Sequence, residues 1–387
     1  MSEAVHTLQP NENADVVIVG GGVIGLMIAR ELAQQNVDVM VIERGSLGAE
    51  ASHAAGGILG PQAEADCADD FFELASQSRD CYPALAVSLF EQTGIDIELD
   101  TTGTLYLAFT EKDETEIEER FDWQARAGLA VSKLSSDDVR SLEPIIAQNV
   151  RASLYFPRDI QVDNRKLIAA LIAANQKLGV RLITWTDVQS LEVEGGRITG
   201  VMTAQGGVSS NRLVLAAGAW TNMISTGNDL SEMQRVRIEP VRGQMVCLQT
   251  NPRATRHILY SPRGYLVPRR DGRLLCGSTT EHAGFTKEVT PEGIANILTN
   301  AHEIAPAVDS FPMASTWAGL RPRAEDGLPV IGPAGIDGLF YATGHYRNGI
   351  LLAPITAELI AEAIMNDSAP PMLNPFTPDR FILAGAH

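Results

Sequence analysis

Two kinds of apolar pattern alternate along the first part of the chain, one typical of buried strands and one typical of helices. Residues 16–19 are an unbroken run of valine and isoleucine, and glycines follow at positions 20, 21, 22 and 25. Ile24, Ile28 and Leu32 then recur at helical spacing, and residues 39–42 form a second apolar run. Strand, tight turn, helix and strand in this order predict a βαβ unit of a parallel sheet.

The later parts of the chain are predicted to mix helices and strands. Helical spacing predicts helices over residues 69–93, 111–128, 163–178, 291–304 and 349–365, with Pro83 breaking or kinking the first of them. Strands are predicted at residues 104–109 and 180–184, in a meander over 188–211, and in an antiparallel sheet from residue 236. The apolar run from Leu213 ends at Gly218 and is expected to return to the first sheet.

The glycines of the first turn have the spacing of a dinucleotide-binding fingerprint. Gly20, Gly22 and Gly25 let the backbone turn sharply, approach a pyrophosphate and pack helix against strand, while the helix N-terminus attracts the phosphates. Glu43, at the tip of the second strand, is placed to accept hydrogen bonds from the ribose of an adenosine. NAD and FAD both fit this unit; its position at the start of the chain and the adjoining Arg44 favour FAD.

Two other stretches suggest close contact with the same ligand. Small residues dominate residues 45–62, which is expected where backbone lies against a large flat group. Near the other end of the chain, a short apolar strand runs into Gly344 and a helix begins near Gly349. The N-terminus of that helix would again face the ligand.

Length and charge narrow the class of protein. At 387 residues the chain is longer than one hydrophobic core usually supports, so two domains are expected. A formal net charge of −18 argues against nucleic acid and anionic membrane surfaces as partners. The same charge would repel a carboxylate, so a site for one needs its own local cations.

The cysteines and the apolar runs bear on compartment. Cys67, Cys81, Cys247 and Cys276 have no metal-binding or CxxC spacing, and the N-terminus does not read as a signal peptide. No apolar run approaches the ~20 residues that span a bilayer. A reduced, cytoplasmic protein with no metal site is therefore expected.

Two further motifs link the chain to a known family. Residues 344–354 read Gly-His-Tyr-Arg-Asn-Gly-Ile-Leu-Leu-Ala-Pro, and residues 317–322 read Trp-Ala-Gly-Leu-Arg-Pro. With the N-terminal unit they resemble the D-amino-acid oxidase family of FAD enzymes over residues 15–365, and within it the glycine oxidase branch of thiamine thiazole synthesis. The resemblance implies an α/β, Rossmann-like FAD-binding domain that is discontinuous in sequence, and an α+β substrate-binding domain built on an antiparallel sheet.

The predicted division of the chain follows from these patterns. Residues 1–13 are assigned to a polar tail. The FAD-binding domain is expected to contain residues 14–89, 156–232 and 321–387, and the substrate-binding domain residues 90–155 and 233–320.

FAD is expected to bind without a covalent link, because no cysteine adjoins the flavin motifs. In the family the last motif wraps the flavin, and the following helix points its N-terminus at the pyrimidine end of the ring. The fingerprint and the resemblance together predict cofactor contacts at Gly20, Gly22, Val23, Ile24, Gly25, Glu43, Arg44, Ala51, Ser52, Gly56, Gly57, Ile58, Val188, Gly218, His345, Tyr346, Arg347, Asn348, Gly349, Ile350 and Leu351.

The resemblance also implies the residues that hold the substrate. Arg321 matches the family arginine that grips a carboxylate, which suits a guanidinium because it can donate two parallel hydrogen bonds. Arg347 matches a second cation near the same carboxylate, and Tyr265 matches a tyrosine that closes over it. No catalytic base is assigned, since hydride passes from the oriented substrate to the flavin.

The reaction implied is oxidative deamination of glycine, or of another small amine or D-amino acid, to a 2-oxo acid, ammonia and hydrogen peroxide, with dioxygen as electron acceptor. Glycine would give glyoxylate, or an imine passed to a thiazole synthase partner, and the family implies a homotetramer. Two alternatives stay open: an amino-acid dehydrogenase that passes electrons to a quinone or carrier, and a non-catalytic flavin-binding assembly factor. Glycine, sarcosine and small D-amino acids also stay open, because one or two methylenes are worth only about 1–3 kcal/mol.

Overall fold

The computed structural model describes residue 8, residues 12–225 and residues 236–381. The predicted polar tail lies largely outside these ranges. The predicted domain segments 156–232, 233–320 and 321–387 each extend in part beyond them.

The strands of the described chain belong to a parallel sheet, a large mixed sheet and two smaller sheets. In chain order they are β1 (Glu12–Asn13), β2 (Val16–Val19), β3 (Val39–Ile42), β4 (Ile58–Leu59), β5 (Thr104–Ala108), β6 (Ser132–Ser135), β7 (Ala152–Phe156), β8 (Ile160–Gln161), β9 (Arg181–Ile183), β10 (Val188–Glu194), β11 (Arg197–Thr203), β12 (Gly206–Ser209), β13 (Leu213–Leu215), β14 (Ile238–Gln249), β15 (Ile258–Ser261), β16 (Gly264–Pro268), β17 (Arg273–Gly277), β18 (Met313–Ala324), β19 (Val330–Pro333) and β20 (Leu339–Thr343).

The helices cover the faces of these sheets. In chain order they are α1 (Val23–Gln34), α2 (Ala51–Ala54), α3 (Pro61–Glu64), α4 (Asp70–Thr93), α5 (Glu111–Arg126), α6 (Ser136–Leu142), α7 (Asn164–Lys177), α8 (Pro291–Ile304) and α9 (Gly349–Asn366). Short 3₁₀ turns add to them at residues 218–223, 306–310 and 371–376.

The predicted βαβ unit forms the centre of a sheet with the order β19-β20-β13-β2-β3-β9. All neighbours run parallel except β19 and β20. Strand β13 returns to this sheet as the sequence predicted, and it lies between β2 and β20. Val16 and Ile18 point to one face, where α1, α4, α7 and α9 pack. Val17 and Val19 point to the other face, which the meander β10–β12 covers. A sheet buried on both faces explains why its strands are apolar throughout.

The second large sheet has the order β18-β14-β17-β16-β15-β5-β7-β6. Neighbouring strands are antiparallel except for the parallel pair β15 and β5. Leu248, Leu266 and Leu274 line one face together with Ile297 of α8. The sheet therefore joins strands from residues 104–156 to strands from residues 238–324.

Two predicted boundaries cut through regular elements. Strand β18, which the sequence did not predict, runs across the expected division at residues 320 and 321. Helix α4 runs across the expected division at residues 89 and 90. The domain limits therefore stay a prediction.

Helices α4 and α9 each contain a proline. Of the break or kink predicted at Pro83, the break is wrong, because α4 is one helix that begins at the side-chain cap of Asp69 and ends at Gly94, where φ is 75°. Helix α9 is by length and composition apolar enough to cross a membrane, but 67% of it is buried inside the protein. It packs against α1 and α4, as a core helix does.

Candidate active site

A cavity of about 440 Å³ lies between the carboxyl ends of β2, β13 and β20 and the face of the antiparallel sheet. On the parallel-sheet side its wall is made of the first turns of α1 and α9 and of segments 50–60, 186–189 and 216–224. On the other side it is made of residues from β14, β16 and β18. Ligands of open α/β sheets bind at this edge, outside the carboxyl ends of the strands.

Two glycines of the first glycine turn have no room for a side chain. Gly20 has φ of 112°, and a Cβ there would lie 2.4 Å from the carbonyl oxygen of Ala216. A Cβ on Gly25 would lie 2.0 Å from the carbonyl oxygen of Gly20. Helix α1 has no acidic residue in its first turn, and its N-terminus opens on the cavity. There the N–H of Val23 donates to the Ser52 hydroxyl at 3.0 Å. This end is suited to a phosphate.

Glu43 is 9% exposed, and its carboxylate is hydrogen-bonded to the backbone of the glycine turn. Its Oε2 accepts a hydrogen bond from Gly21 N–H at 2.7 Å, and its Oε1 accepts one from Gly45 N–H at 2.8 Å. A carboxylate has about four acceptor sites, so the cavity side of Glu43 can still accept from a ligand hydroxyl. Glu43 therefore lines the cavity in an orientation fixed by backbone N–H groups, and its role as ribose acceptor stays a prediction.

Arg44 extends along the same end of the cavity. Its guanidinium lies 3.7 Å from the ring centroid of Trp220 and 3.3 Å from Glu50. Stacking on an aromatic ring and an ion pair both restrain a side chain that is otherwise flexible. Trp220 also lines the cavity, and the sequence did not single it out as a site residue.

The segment of small residues is tied to three other elements. Trp317 of β18 donates from Nε1 to the carbonyl oxygen of Ala54 at 3.0 Å. Arg269, which is 3% exposed, donates from Nη2 to the carbonyl oxygen of Gly56 at 2.8 Å. Gly57 has φ of 69°, and a Cβ there would lie 2.1 Å from the carbonyl oxygen of Val162. The backbone along this wall is therefore rigid, as contact with a flat ligand requires.

Arg321 extends from β18 into the cavity, and its guanidinium packs against Gly243. A Cβ on Gly243 of the neighbouring strand β14 would lie 2.2 Å from Nη1 of Arg321. The guanidinium donates to the carbonyl oxygen of Thr279 at 3.0 Å and to Oγ of Ser278 at 2.8 Å. Within the described ranges no carboxylate lies within ion-pairing distance of Arg321, so its positive charge is available to an anionic ligand.

Arg347 lines the same cavity but is already paired. Its Nη2 lies 3.7 Å from Oε1 of Glu64 and donates to the hydroxyl of Tyr260 at 3.2 Å. The carboxylate of Glu64 raises the pKa of Arg347 above its usual value. Glu64, which the sequence did not identify, leaves Arg347 with less charge to offer a ligand than Arg321.

Tyr265 forms part of the wall with its ring. A Cβ on Gly56 would lie 3.5 Å from this ring, and a Cβ on Gly277 would lie 2.5 Å from it. The hydroxyl contacts the sulfur of Met245 at 3.4 Å, and the ring stacks on Tyr260 with 6.0 Å between centroids. Tyr265 is thus placed between the small-residue segment and the antiparallel sheet.

His345 lies in the loop before α9 and is 4% exposed. Burial lowers its pKa to about 3, and its Nε2 lies 3.0 Å from Oγ1 of Thr356. A neutral, buried imidazole of such low basicity is unsuited to removing a proton. The loop leads to Asn348 at the N-cap of α9, which makes no side-chain cap bond, so the first-turn N–H groups of α9 face the cavity without a capping side chain.

Most residues predicted to bind cofactor or substrate meet on this one cavity, and two lie behind its wall. Gly25 lies behind the wall because it packs helix α1 against strand β2. Leu351 lies behind the wall because its side chain is buried in the core at 2% exposure. Trp220, Glu64 and Gly243 line the cavity as well. Trp220 follows a glycine-ended strand, which was a usable signal, whereas nothing local in the sequence marks the other two.

The residues present fit FAD. Two helix starts without acidic first turns, α1 and α9, open on the same cavity, which is also lined by the wall of mainly small residues. A diphosphate suits the first, and a ring that gains negative charge on reduction suits the second. Glu43 lies at the end nearer α1, where a ribose would be held.

Comparisons with known proteins agree with this geometry. A family model described as FAD dependent oxidoreductase (DAO) matches residues 15–363. The chain is 35% identical over 362 residues to a glycine oxidase of Pseudomonas putida, covering 93% of this chain and 96% of that protein. It is 36% identical to a bifunctional protein ThiO/ThiG of Synechocystis, covering 95% of this chain but only 54% of that protein.

A solved structure gives the same result. The crystal structure of glycine oxidase from Geobacillus kaustophilus superposes with a TM-score of 0.91 at 34% identity, covering 96% of this chain and 99% of that one. The family match spans most of the chain, and the sequence and fold similarities extend over nearly all of it. The chain therefore belongs to the D-amino-acid oxidase (DAO) family of FAD-dependent oxidoreductases.

Proposed function

We propose that this protein is an FAD-dependent oxidase of glycine, or of another small amine or D-amino acid, that yields a 2-oxo acid, ammonia and hydrogen peroxide. With glycine the oxo acid is glyoxylate. The observation that carries the proposal is the guanidinium of Arg321, which has no carboxylate partner among the described residues and lies against Gly243 in the cavity that the α9 N-terminus also faces. Relatives named glycine oxidase, similar over nearly their whole length, support the same choice of substrate.

The substrate carboxylate would bind to Arg321, which offers a charged, bidentate donor already oriented by two neutral acceptors. Tyr265 borders the carboxylate on one side, and Arg347 is a weaker second cation because Glu64 pairs with it. With its acid group fixed, a small amine is confined to a narrow range of orientations within the cavity. Fixed orientation of this kind supplies much of the rate in reactions without a protein nucleophile.

When bound, FAD supplies the electron sink that accepts hydride from the substrate and passes electrons to dioxygen. The protein contributes the surroundings. The N–H groups of the first turn of α9 favour negative charge beside them, and His345 stays neutral there. We place FAD non-covalently against the predicted cofactor residues that line the cavity, since Cys67, Cys81, Cys247 and Cys276 lie away from its wall.

The setting of the reaction is also part of the proposal. The relative that carries both ThiO and ThiG in one chain supports a role in thiamine thiazole synthesis, with a thiazole synthase as the partner that receives the imine. We place the protein in the cytoplasm as a homo-oligomer, with a homotetramer as the specific assembly. The free thiols of Cys67, Cys81, Cys247 and Cys276 are compatible with a reducing compartment.

The test is a panel of amines assayed for peroxide release by purified yellow protein. Glycine, sarcosine, D-alanine and a larger D-amino acid are compared in air, and bleaching of the visible flavin band is followed without oxygen. Peroxide formation with glycine or sarcosine supports the proposal. Bleaching without peroxide formation would identify a dehydrogenase instead, and no bleaching with any amine would leave a flavin-binding protein without this activity.

A further inference from the structure

Helix α9 has an interruption in its first two turns, directly behind the cavity. Pro354 has no N–H group, so the carbonyl of Ile350, four residues earlier, loses its intrahelical donor. Ile350 lines the cavity with its first-turn neighbours Asn348 and Gly349. An unpaired carbonyl buried at this depth would destabilise the turn by about 1–3 kcal/mol.

Helix α4 supplies the missing hydrogen bond. The hydroxyl of Tyr82 donates to the carbonyl oxygen of Ile350. One turn earlier, Ser78 donates from Oγ to the carbonyl oxygen of Leu351 at 2.6 Å and accepts from the N–H of Ile355 at 3.3 Å. Two hydroxyls spaced four residues apart on α4 thus bridge the part of α9 that the proline disrupts.

These hydroxyls are not explained by packing. Tyr82 and Ser78 are both 0% exposed, and Tyr82 lies in a cluster of buried apolar side chains from α4 and α9. Phenylalanine would fill nearly the same space as Tyr82, and a buried hydroxyl is unfavourable unless it has a partner. Burial raises the pKa of Tyr82 well above its usual value, so the hydroxyl stays protonated and remains a donor.

We propose that Tyr82 and Ser78 are positioning residues that fix the first turn of α9, and through it the N–H groups that stabilise negative charge on reduced FAD. Pro354 makes the turn dependent on α4, because the helix cannot hold this segment with its own hydrogen bonds. The inference rests on the proposed function only in placing the flavin at this helix start. It concerns the energy of the reduced cofactor and not the choice of substrate.

The experiment is a double-mutant cycle on the holoenzyme, using Tyr82→Phe, Pro354→Ala and the combined variant. The midpoint potential of the bound flavin is measured by equilibration with redox dyes, and the dissociation constant of FAD is measured by titrating the apoprotein. Tyr82→Phe should lower the equilibrium constant for two-electron reduction roughly tenfold, which is about 30 mV toward lower potential. In the Pro354→Ala background the backbone N–H of residue 354 can bond to Ile350, so Tyr82→Phe should change the potential little.

Tyr155→Phe is the matched control. Tyr155 also donates its hydroxyl to a backbone carbonyl, that of Thr102 at 3.0 Å, but it lies in β7 away from the cavity. Its loss should leave the flavin potential unchanged while affecting stability to a similar extent. Ser78→Ala provides a second variant if Tyr82→Phe does not fold, with a potential shift of the same sign expected.

Two results would overturn the inference. One is an unchanged potential in both Tyr82→Phe and Ser78→Ala. The other is an equal effect of Tyr82→Phe with and without Pro354, which would make the hydroxyl a general packing feature. Neither result bears on glycine turnover, so an enzyme that oxidises glycine without the shift refutes only this inference. A shift in a protein that oxidises no amine refutes only the proposed function.

Discussion

Arg321 and Arg347 are guanidinium groups of one cavity, and their surroundings give them different capacities for a ligand. Arg321 bonds to neutral oxygens of Ser278 and Thr279, so its charge is not compensated locally. Arg347 lies 3.7 Å from the carboxylate of Glu64. In a protein with net charge −18, one unpaired cation at the site is what a carboxylate substrate needs.

Replacing Arg321 by alanine should raise the KM for glycine about a hundredfold or more, because losing a charge-assisted clamp costs about 3 kcal/mol or more. The visible spectrum of bound FAD should be unchanged, since Arg321 is assigned to the substrate. Steady-state oxygen consumption measures the effect. Arg323→Ala is the control, because this arginine lies on the same strand but its side chain is 3.9 Å from Glu239 and does not line the cavity. Near-normal kinetics in Arg321→Ala would contradict the assignment of Arg321 to the substrate.

Gly243 is a second residue with a specific consequence for the substrate site. A methyl group there would overlap the guanidinium of Arg321, which is the movable end of a flexible side chain. Gly243→Ala should therefore leave the melting temperature nearly unchanged but raise the KM for glycine about ten- to a hundredfold by displacing the clamp. Gly207→Ala is the control, because its Cβ would meet only ordinary contacts, the nearest at 3.5 Å. Unchanged KM in Gly243→Ala would show that Arg321 adapts without losing its function.

At the level of elements, α7 anchors the cavity wall through its N-cap. Asp163 accepts hydrogen bonds from the N–H groups of Arg165 at 3.0 Å and Lys166 at 3.1 Å, and from Arg273 at 2.7 Å. Burial alone would raise the pKa of Asp163, but the nearby Arg269 and these hydrogen bonds hold it below its usual value. Arg269 in turn holds Gly56 on the small-residue wall. Asp163, the N-cap of α7, is therefore linked through Arg269 to the backbone that lines the cavity.

Asp163→Asn should lower the free energy of unfolding at neutral pH by about 1–3 kcal/mol, because the cap and its cations lose a charged partner. A carboxyl with a depressed pKa stabilises the fold above its ordinary value of 3.8 and loses that contribution as the pH falls below it. The difference between variant and wild type should therefore shrink under acid conditions in denaturant titrations. The control is Asp69→Asn, an N-cap of α4 that pairs with no guanidinium among the described residues. A difference that is independent of pH would refute the charge argument.

The sequence predicted elements well where the constraint is local. Gly20 and Gly25 tolerate no side chain because backbone oxygens lie only 2.4 Å and 2.0 Å from where their Cβ atoms would be, so their spacing is visible in any such turn. Strand β18 was missed because its residues carry no simple alternation and its place follows from pairing with β14 far away. The break at Pro83 was overestimated because tertiary packing of α4 kept the helix intact.

The site was predictable only in part for the same reason. Arg321 was found through its motif, but its supporting Gly243 lies 78 positions earlier and depends on strand register. Glu64 reaches the cavity through long-range packing that no local spacing encodes, whereas Trp220 could have been identified because it follows the glycine that ends a strand. The bonds from α4 to the Pro354 segment connect residues more than 260 positions apart. Such contacts can be identified only once the three-dimensional fold is known.

At the level of the whole molecule, one cofactor would contact both large sheets. Adding FAD to apoprotein at a hundred times its dissociation constant should stabilise the fold by about 2.7 kcal/mol, measured as a higher melting temperature. ADP, which can reach only the α1 end, should saturate without giving the protein the resistance to proteolysis that FAD gives. Equal protection by ADP and FAD would contradict a site that joins the two sheets.

Strand β13 has consequences for the order in which the molecule is made. It pairs on one side with β2 and on the other with β20, whose residues 339–343 leave the ribosome more than 300 positions after β2. For most of its synthesis the nascent chain therefore lacks β20 and α9. Until both are translated, neither the parallel sheet nor the α9 side of the cavity is complete. Cofactor loading is accordingly a late event, and cells short of riboflavin should accumulate full-length colourless protein rather than stalled fragments.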